Sequence, residues 1–198
     1  MRQLIKFSLF DAGNSVFPML VLSALTSSYF VNHIVADEQL GTALWQLTIG
    51  IAGIFIALVM PYIGNLADNM INGRLKLLRL FTFLCILFVG CFYFILPNQE
   101  YVLTALVILF LGSITYEASN SLYNSIMKNC STSNLTLSSG IGFGTGFLGG
   151  VLILVLLLYT LILPQPNFFG ISMDNYLHIR FAHIILAFWF LAFCLPLL

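Results

Sequence analysis

Residues 42–64 read TALWQLTIGIAGIFIALVMPYIG, an apolar run that holds no charged side chain. A helix needs about 20 such residues to cross about 30 Å of hydrocarbon, so this stretch reads as a membrane span. The same pattern recurs on both sides of it. Apolar runs fall at about 5–32, 42–64, 77–96, 101–126, 137–163 and 179–196. Short polar breaks carrying turn formers separate them: Ala36-Asp37-Glu38, Asn72-Gly73, Pro97-Asn98-Gln99, Ser131-Thr132-Ser133-Asn134 and Pro164-Gln165-Pro166-Asn167. The ten-residue alternation of a membrane barrel is absent. The expected fold class is therefore all-α: a polytopic membrane six-helix bundle, one domain over residues 1–198. Arg2 and Lys6 before an apolar run resemble a signal peptide. Asp11 and Asn14 interrupt that run and no small-residue cleavage pattern follows, so it is read as the first span.

Composition agrees. Of 198 residues, 60% are hydrophobic and 7% charged, with seven basic and seven acidic side chains. A soluble domain carries roughly 25% charged residues, so this chain cannot coat a water-soluble globule. A disordered protein and a nucleic-acid binder are excluded on the same grounds. Four cysteines without a C-x-x-C pair read as small buried hydrophobes.

Basic residues set the expected orientation. With a cytoplasmic N-terminus, Arg2, Lys6, Arg74, Lys76, Arg79 and Lys128 fall inside and only Arg180 falls outside, so both termini are expected in the cytoplasm. Two glycosylation patterns, at Asn129 and Asn134, then face the cytoplasm and stay unmodified.

Polar side chains inside a span are costly unless they face a cavity or a partner, which makes them functional candidates. In the first span Asp11, Asn14, Ser15 and Pro18 fall at i, i+3, i+4 and i+7, one stripe of a helix. In the fourth, Ser113, Glu117, Asn120, Ser121 and Asn124 are read as one face. The candidate solute path is thus Asp11, Asn14, Ser15, Glu117, Asn120 and Asn124. Competing readings are solvation of Asp11 at the headgroup boundary and a helix-to-helix hydrogen bond from Glu117. Glu117 is the candidate for a coupling proton, because desolvation favours the neutral form of a carboxyl group.

Two further segments stand out. Between spans two and three, Gly64 is placed to let helix ends approach, Asp68 to pair with a cation or a helix N-terminus, and Arg74 and Lys76 to hold the membrane face. The fifth span packs six glycines into residues 140–150. Glycine weakens a helix, so Gly140, Gly144, Gly146, Gly149 and Gly150 are assigned to close helix packing, with a rocking helix as the second reading. Asp174, His178 and His183 do not converge as a metal site, and no nucleophile-and-base pair suggests an enzyme. No metal and no cofactor are expected.

These segments resemble the major facilitator superfamily. The Gly64/Asp68/Arg74/Lys76 loop is similar to its signature between helices two and three, which implies a cytoplasmic gate. Phe10-Asp11-Ala12-Gly13-Asn14-Ser15 resembles the Tyr-Asp-x-Ala-Asn-Ser opening of the vacuole-effluxer branch, the autophagy-linked vacuolar amino-acid exporters and their bacterial relatives. Tyr123-Asn124-Ser125 resembles that branch's Phe-Tyr-Asn stretch, and Ser139 to Gly150 its glycine-rich fifth helix. Two departures are visible. Asn69 to Asn72 lengthen the gap before Gly73-Arg74, and Phe10 replaces a tyrosine, which removes a hydroxyl from the expected cavity wall.

The resemblance implies half of a major-facilitator fold, two inverted three-helix repeats, with a solute bound between two such halves. The expected function is secondary active transport of a small polar solute, an amino acid for example, with proton coupling. The expected partners are the lipid bilayer, that solute and a second six-helix half, supplied by a C-terminal half, a partner chain or a second copy. The alternative is a truncated or split-gene remnant, or a membrane scaffold without transport of its own. The apolar ending at Leu198 reads as a chain cut after helix six. The expected location is the inner membrane of a bacterium or the vacuolar membrane of a fungus-like cell.

Overall fold

The structure, a computed structural model, describes residues 2–130 and 135–198. The expected break at Ser131–Asn134, with its two glycosylation patterns, lies largely outside them. Six helices are long and apolar enough to cross a membrane: α1 (Leu4–Val35), α2 (Glu38–Asn69), α3 (Gly73–Phe94), α4 (Gln99–Lys128), α5 (Ser139–Ile162) and α6 (Asp174–Cys194). Among the described residues there is no strand.

The helix ends follow local chemistry. Ala36 takes the left-handed conformation at φ 58°, and the Asp37 carboxylate then caps α2 by accepting from the Leu40 N–H at 2.9 Å. Asn72, at φ 55°, turns the chain into α3. The link between α2 and α3 is shorter than the sequence suggested. α2 stays helical through Gly64 and Asp68 to Asn69, because Ala67 packs into the core there.

Helix α1 is not uniform. α-helical turns over Arg2–Asn14 and Leu25–Tyr29 alternate with π-helical turns over Phe17–Ala24 and Phe30–Val35. Pro18 starts the first wide turn, where its missing N–H would break an ordinary ladder. Side chains occupy carbonyls there: Ser23 Oγ donates to the Pro18 carbonyl at 2.8 Å, and Trp45 Nε1 of α2 donates to that of Leu22 at 3.0 Å.

α1 packs mainly against α5 and α6, α2 against α4, and α3 against α4 and α6. Exchanging each helix for the one three places along maps these principal contacts onto themselves. Such a pattern is the one expected of two three-helix repeats, and the additional packing of α1 on α2 stands outside it. Buried polar bonds tie the bundle together. Thr26 Oγ1 and His183 Nε2 are hydrogen-bonded at 2.9 Å, Tyr29 donates to the Ile95 carbonyl at 2.9 Å, and Thr82 and Ser119 lie 2.8 Å apart. His183 thereby holds a structural place between α1 and α6, fully buried.

Candidate functional site

The polar stripe of α1 opens into a cavity of about 440 Å³ between α1, α4 and α5. Asp11, Asn14, Ser15, Pro18 and Met19 line it from α1, Tyr116, Asn120, Tyr123 and Asn124 from α4, and Ser139 and Phe143 from α5. Five of the six expected path residues therefore share one space. Glu117 does not line it. Its side chain is exposed on the neighbouring face of α4, a short turn away from the wall that Tyr116, Asn120 and Tyr123 form.

Aromatic packing fixes the wall. Phe10 is fully buried and stacks on the Tyr123 ring at 4.6 Å, with Phe17 stacked on Tyr116 at 4.9 Å. Phe10 is thus core, and the hydroxyl that its replacement of tyrosine seemed to remove comes from α4 instead. Tyr123 Oη lies 2.6 Å from Asp11 Oδ2 and 3.1 Å from the Phe7 carbonyl oxygen. Sequence reading noted Tyr123 only as part of a motif. Its contact with Asp11 joins residues 112 positions apart, which no local periodicity reveals.

Asn14 is 4% exposed, and its carboxamide oxygen has no hydrogen-bond partner. A buried acceptor left unpaired costs about 1–3 kcal/mol, which singles this atom out on the α1 face that lines the cavity. Ser15 Oγ donates to its own helix at the Asp11 carbonyl, 2.8 Å away. Among the described residues the lining carries one acidic side chain, Asp11, and no basic one. Tyr116 of α4 and Cys194 of α6 are further ionisable groups near Asp11.

Glycines of α5 let α1 come this close. A Cβ at Gly142 would collide with the Asp11 carboxylate, and one at Gly150 with the Met19 sulfur. At Gly146 it would sit 2.6 Å from Ser15 Oγ, and at Gly149 3.0 Å from the Ala12 carbonyl oxygen. Gly140 and Gly144 correct the sequence reading, because nothing lies within 4 Å of a Cβ built on either. They occupy the opposite side of the helix, and Gly142 takes their place in the contact.

The α2–α3 turn is corrected in the same way. Gly64 has open space around it, whereas a Cβ at Gly73 would strike the Ala67 carbonyl, so Gly73 makes the close approach. Asp68 does meet a cation: Arg74 Nε and Nη2 both lie 2.8 Å from its Oδ1. Lys76 is exposed.

A bundle of six membrane-spanning helices around a polar cavity defines an integral multi-pass membrane protein in contact with the lipid bilayer. The family described as vacuole effluxer Atg22 like matches residues 26–127, slightly more than half of the chain, and the chain belongs to that family of membrane transporters. An uncharacterized protein of Aquifex aeolicus (strain VF5) is 28% identical over 152 residues, which cover 76% of this chain and 37% of the relative. The chain thus matches little more than a third of that protein's length. No solved structure matches.

Proposed function

We propose that this chain is one six-helix half of a secondary transporter for a small solute bearing an amino group, with amino acids as the chemical class. The observation that carries this is the unpartnered, buried Asn14 oxygen on the same stripe of α1 as the Asp11 carboxylate, in a cavity that no cationic side chain lines among the described residues. Both groups accept hydrogen bonds, and an ammonium group supplies the donors. Asn120 and Asn124 provide amide groups for the rest of the solute. Glu117 and Ser121 leave a polar strip of α4 exposed at membrane depth, where lipid would penalise it, so a second six-helix bundle is the covering partner.

Asp11 rather than Glu117 is the group suited to exchanging a proton. When Asp11 is ionised, Tyr123 donates to its carboxylate. When Asp11 is protonated, its own O–H donates to Tyr123 Oη, and the phenol proton turns to the Phe7 carbonyl. Both states are hydrogen-bonded with the heavy atoms in place. A proton and the solute's ammonium would then compete for one carboxylate, which is the logic of exchange. The bias of the basic residues supports a cytoplasmic position for both termini, with the Asp68–Arg74 pair as a gate at that end.

Binding of a radiolabelled amino-acid panel to the purified chain tests this reading. Amino acids should bind, 2-oxo acids of the same skeleton should not, and Asn14→Ala should weaken binding about tenfold, in line with one lost hydrogen bond to a charged group. Equal binding of the 2-oxo acids would overturn it. Vesicles holding this chain alone should show counterflow equal to empty vesicles, and faster flow would sink the half-transporter assignment.

A further inference from the structure

A second groove of about 450 Å³ lies between α1 and α2. Ser23, Ser27, Ser28 and Asn32 line it from α1, and Glu38, Thr42 and Gln46 from successive turns of α2. It is as large as the Asp11 cavity and more hydrophilic, yet nothing in the sequence motifs points to it. Ser23, Ser27 and Asn32 are bonded within α1, whereas the Gln46 amide of α2 in the groove would be costly against lipid.

The two spaces share a wall. Taking every fourth residue of α1 from Asp11 gives Asp11, Ser15 and Met19 in the first cavity, then Ser23, Ser27 and Val31 in the second groove. In a regular helix of 3.6 residues per turn this row drifts by about 40° at each step and would wind around to the far side. The wide turns over Phe17–Ala24 and Phe30–Val35 drift it back, since an i→i+5 turn holds more than four residues. The π-helical turns thus keep one hydrophilic row in phase along α1, interrupted by the apolar Met19 and ending at Val31. Among the described residues each space also contains one carboxylate, Asp11 or Glu38, and no basic lining residue.

We infer that the α1–α2 groove is a second, water-filled station on the solute path. It takes the same amino-bearing solute, drawn by Glu38, with Met19 and Leu22 as the apolar constriction between stations. The inference rests on the proposed transport reading.

Thiol labelling tests it on the full chain in lipid nanodiscs, where both membrane faces are open to reagent. Single substitutions Ser27→Cys, Gln46→Cys, Asn124→Cys and Leu58→Cys are compared with the unsubstituted chain, using membrane-impermeant methanethiosulfonates of positive and negative charge. Ser27→Cys and Gln46→Cys should react at least tenfold faster than Leu58→Cys. The cationic reagent should be favoured several-fold, and Glu38→Gln should bring that preference close to unity. Labelling of Asn124→Cys without Ser27→Cys overturns the second station and leaves the first cavity standing. Labelling of Ser27→Cys without Asn124→Cys keeps the station and removes the first cavity from the path. Equal rates for the two charges at Ser27→Cys overturn the role of Glu38.

Discussion

The helix pairs α1–α5 and α2–α4 occupy equivalent places in the two three-helix repeats, yet they are built in opposite ways. α5 meets α1 through glycines, backbone against side chain, and the contact surrounds a carboxylate. The glycines of α2 at Gly50 and Gly53 have nothing within 4 Å of a Cβ, and a tilted Phe55–Phe110 ring pair at 5.9 Å joins α2 to α4. One architecture therefore accepts two kinds of seam. The glycine seam lets a polar cavity form beside it, because the helices close without filling the space with side chains. The aromatic seam spends its volume on packing.

The same substitution should act in opposite directions at the two seams. Gly149→Ala forces a methyl group against the Ala12 backbone and should cost about 1–3 kcal/mol, as overpacking does. Gly50→Ala meets open space and should stabilise its helix by about 0.5–1 kcal/mol, through helix propensity alone. Denaturant titration of the purified chain in mild detergent reads both, and equal signs would break the comparison. Tyr123→Phe comes next. It removes a donor from a half-buried carboxylate and should cost about 1–2 kcal/mol, while Asp11→Asn with Tyr123→Phe should cost less than the sum of the singles. The smallest effect belongs to the turn. Arg74→Ala breaks a solvent-exposed pair and should shift stability by less than about 1 kcal/mol, fading as salt is added.

Much of this was legible in the residues. Six apolar runs separated by turn formers mark six helices, since hydrocarbon thickness sets their length. Asp11, Asn14 and Ser15 announced their shared face by helical spacing. Spacing did less well for Glu117, because one position of phase on α4 separates the cavity wall from the open face. The glycine row failed for a related reason. Gly140/Gly144 and Gly142/Gly146/Gly150 both satisfy a four-residue spacing, and only the position of α1 decides between them. The α1–α2 groove was hidden because its serines look irregular on an ideal wheel, and Pro18 was the one local sign that the wheel was wrong.

The wide turn after Pro18 has a consequence for how this chain can change in length. In a regular helix, losing one residue rotates everything beyond it by about 100°. Losing one between Pro18 and Ala24 is different, because the wide turn carries the extra residue and relaxes to an ordinary one, which offsets most of that rotation. A single-codon deletion there would leave span count and packing glycines unchanged. The hydrophilic row would stay near its groove, so this short stretch absorbs a one-residue gap that a regular turn of α1 would not.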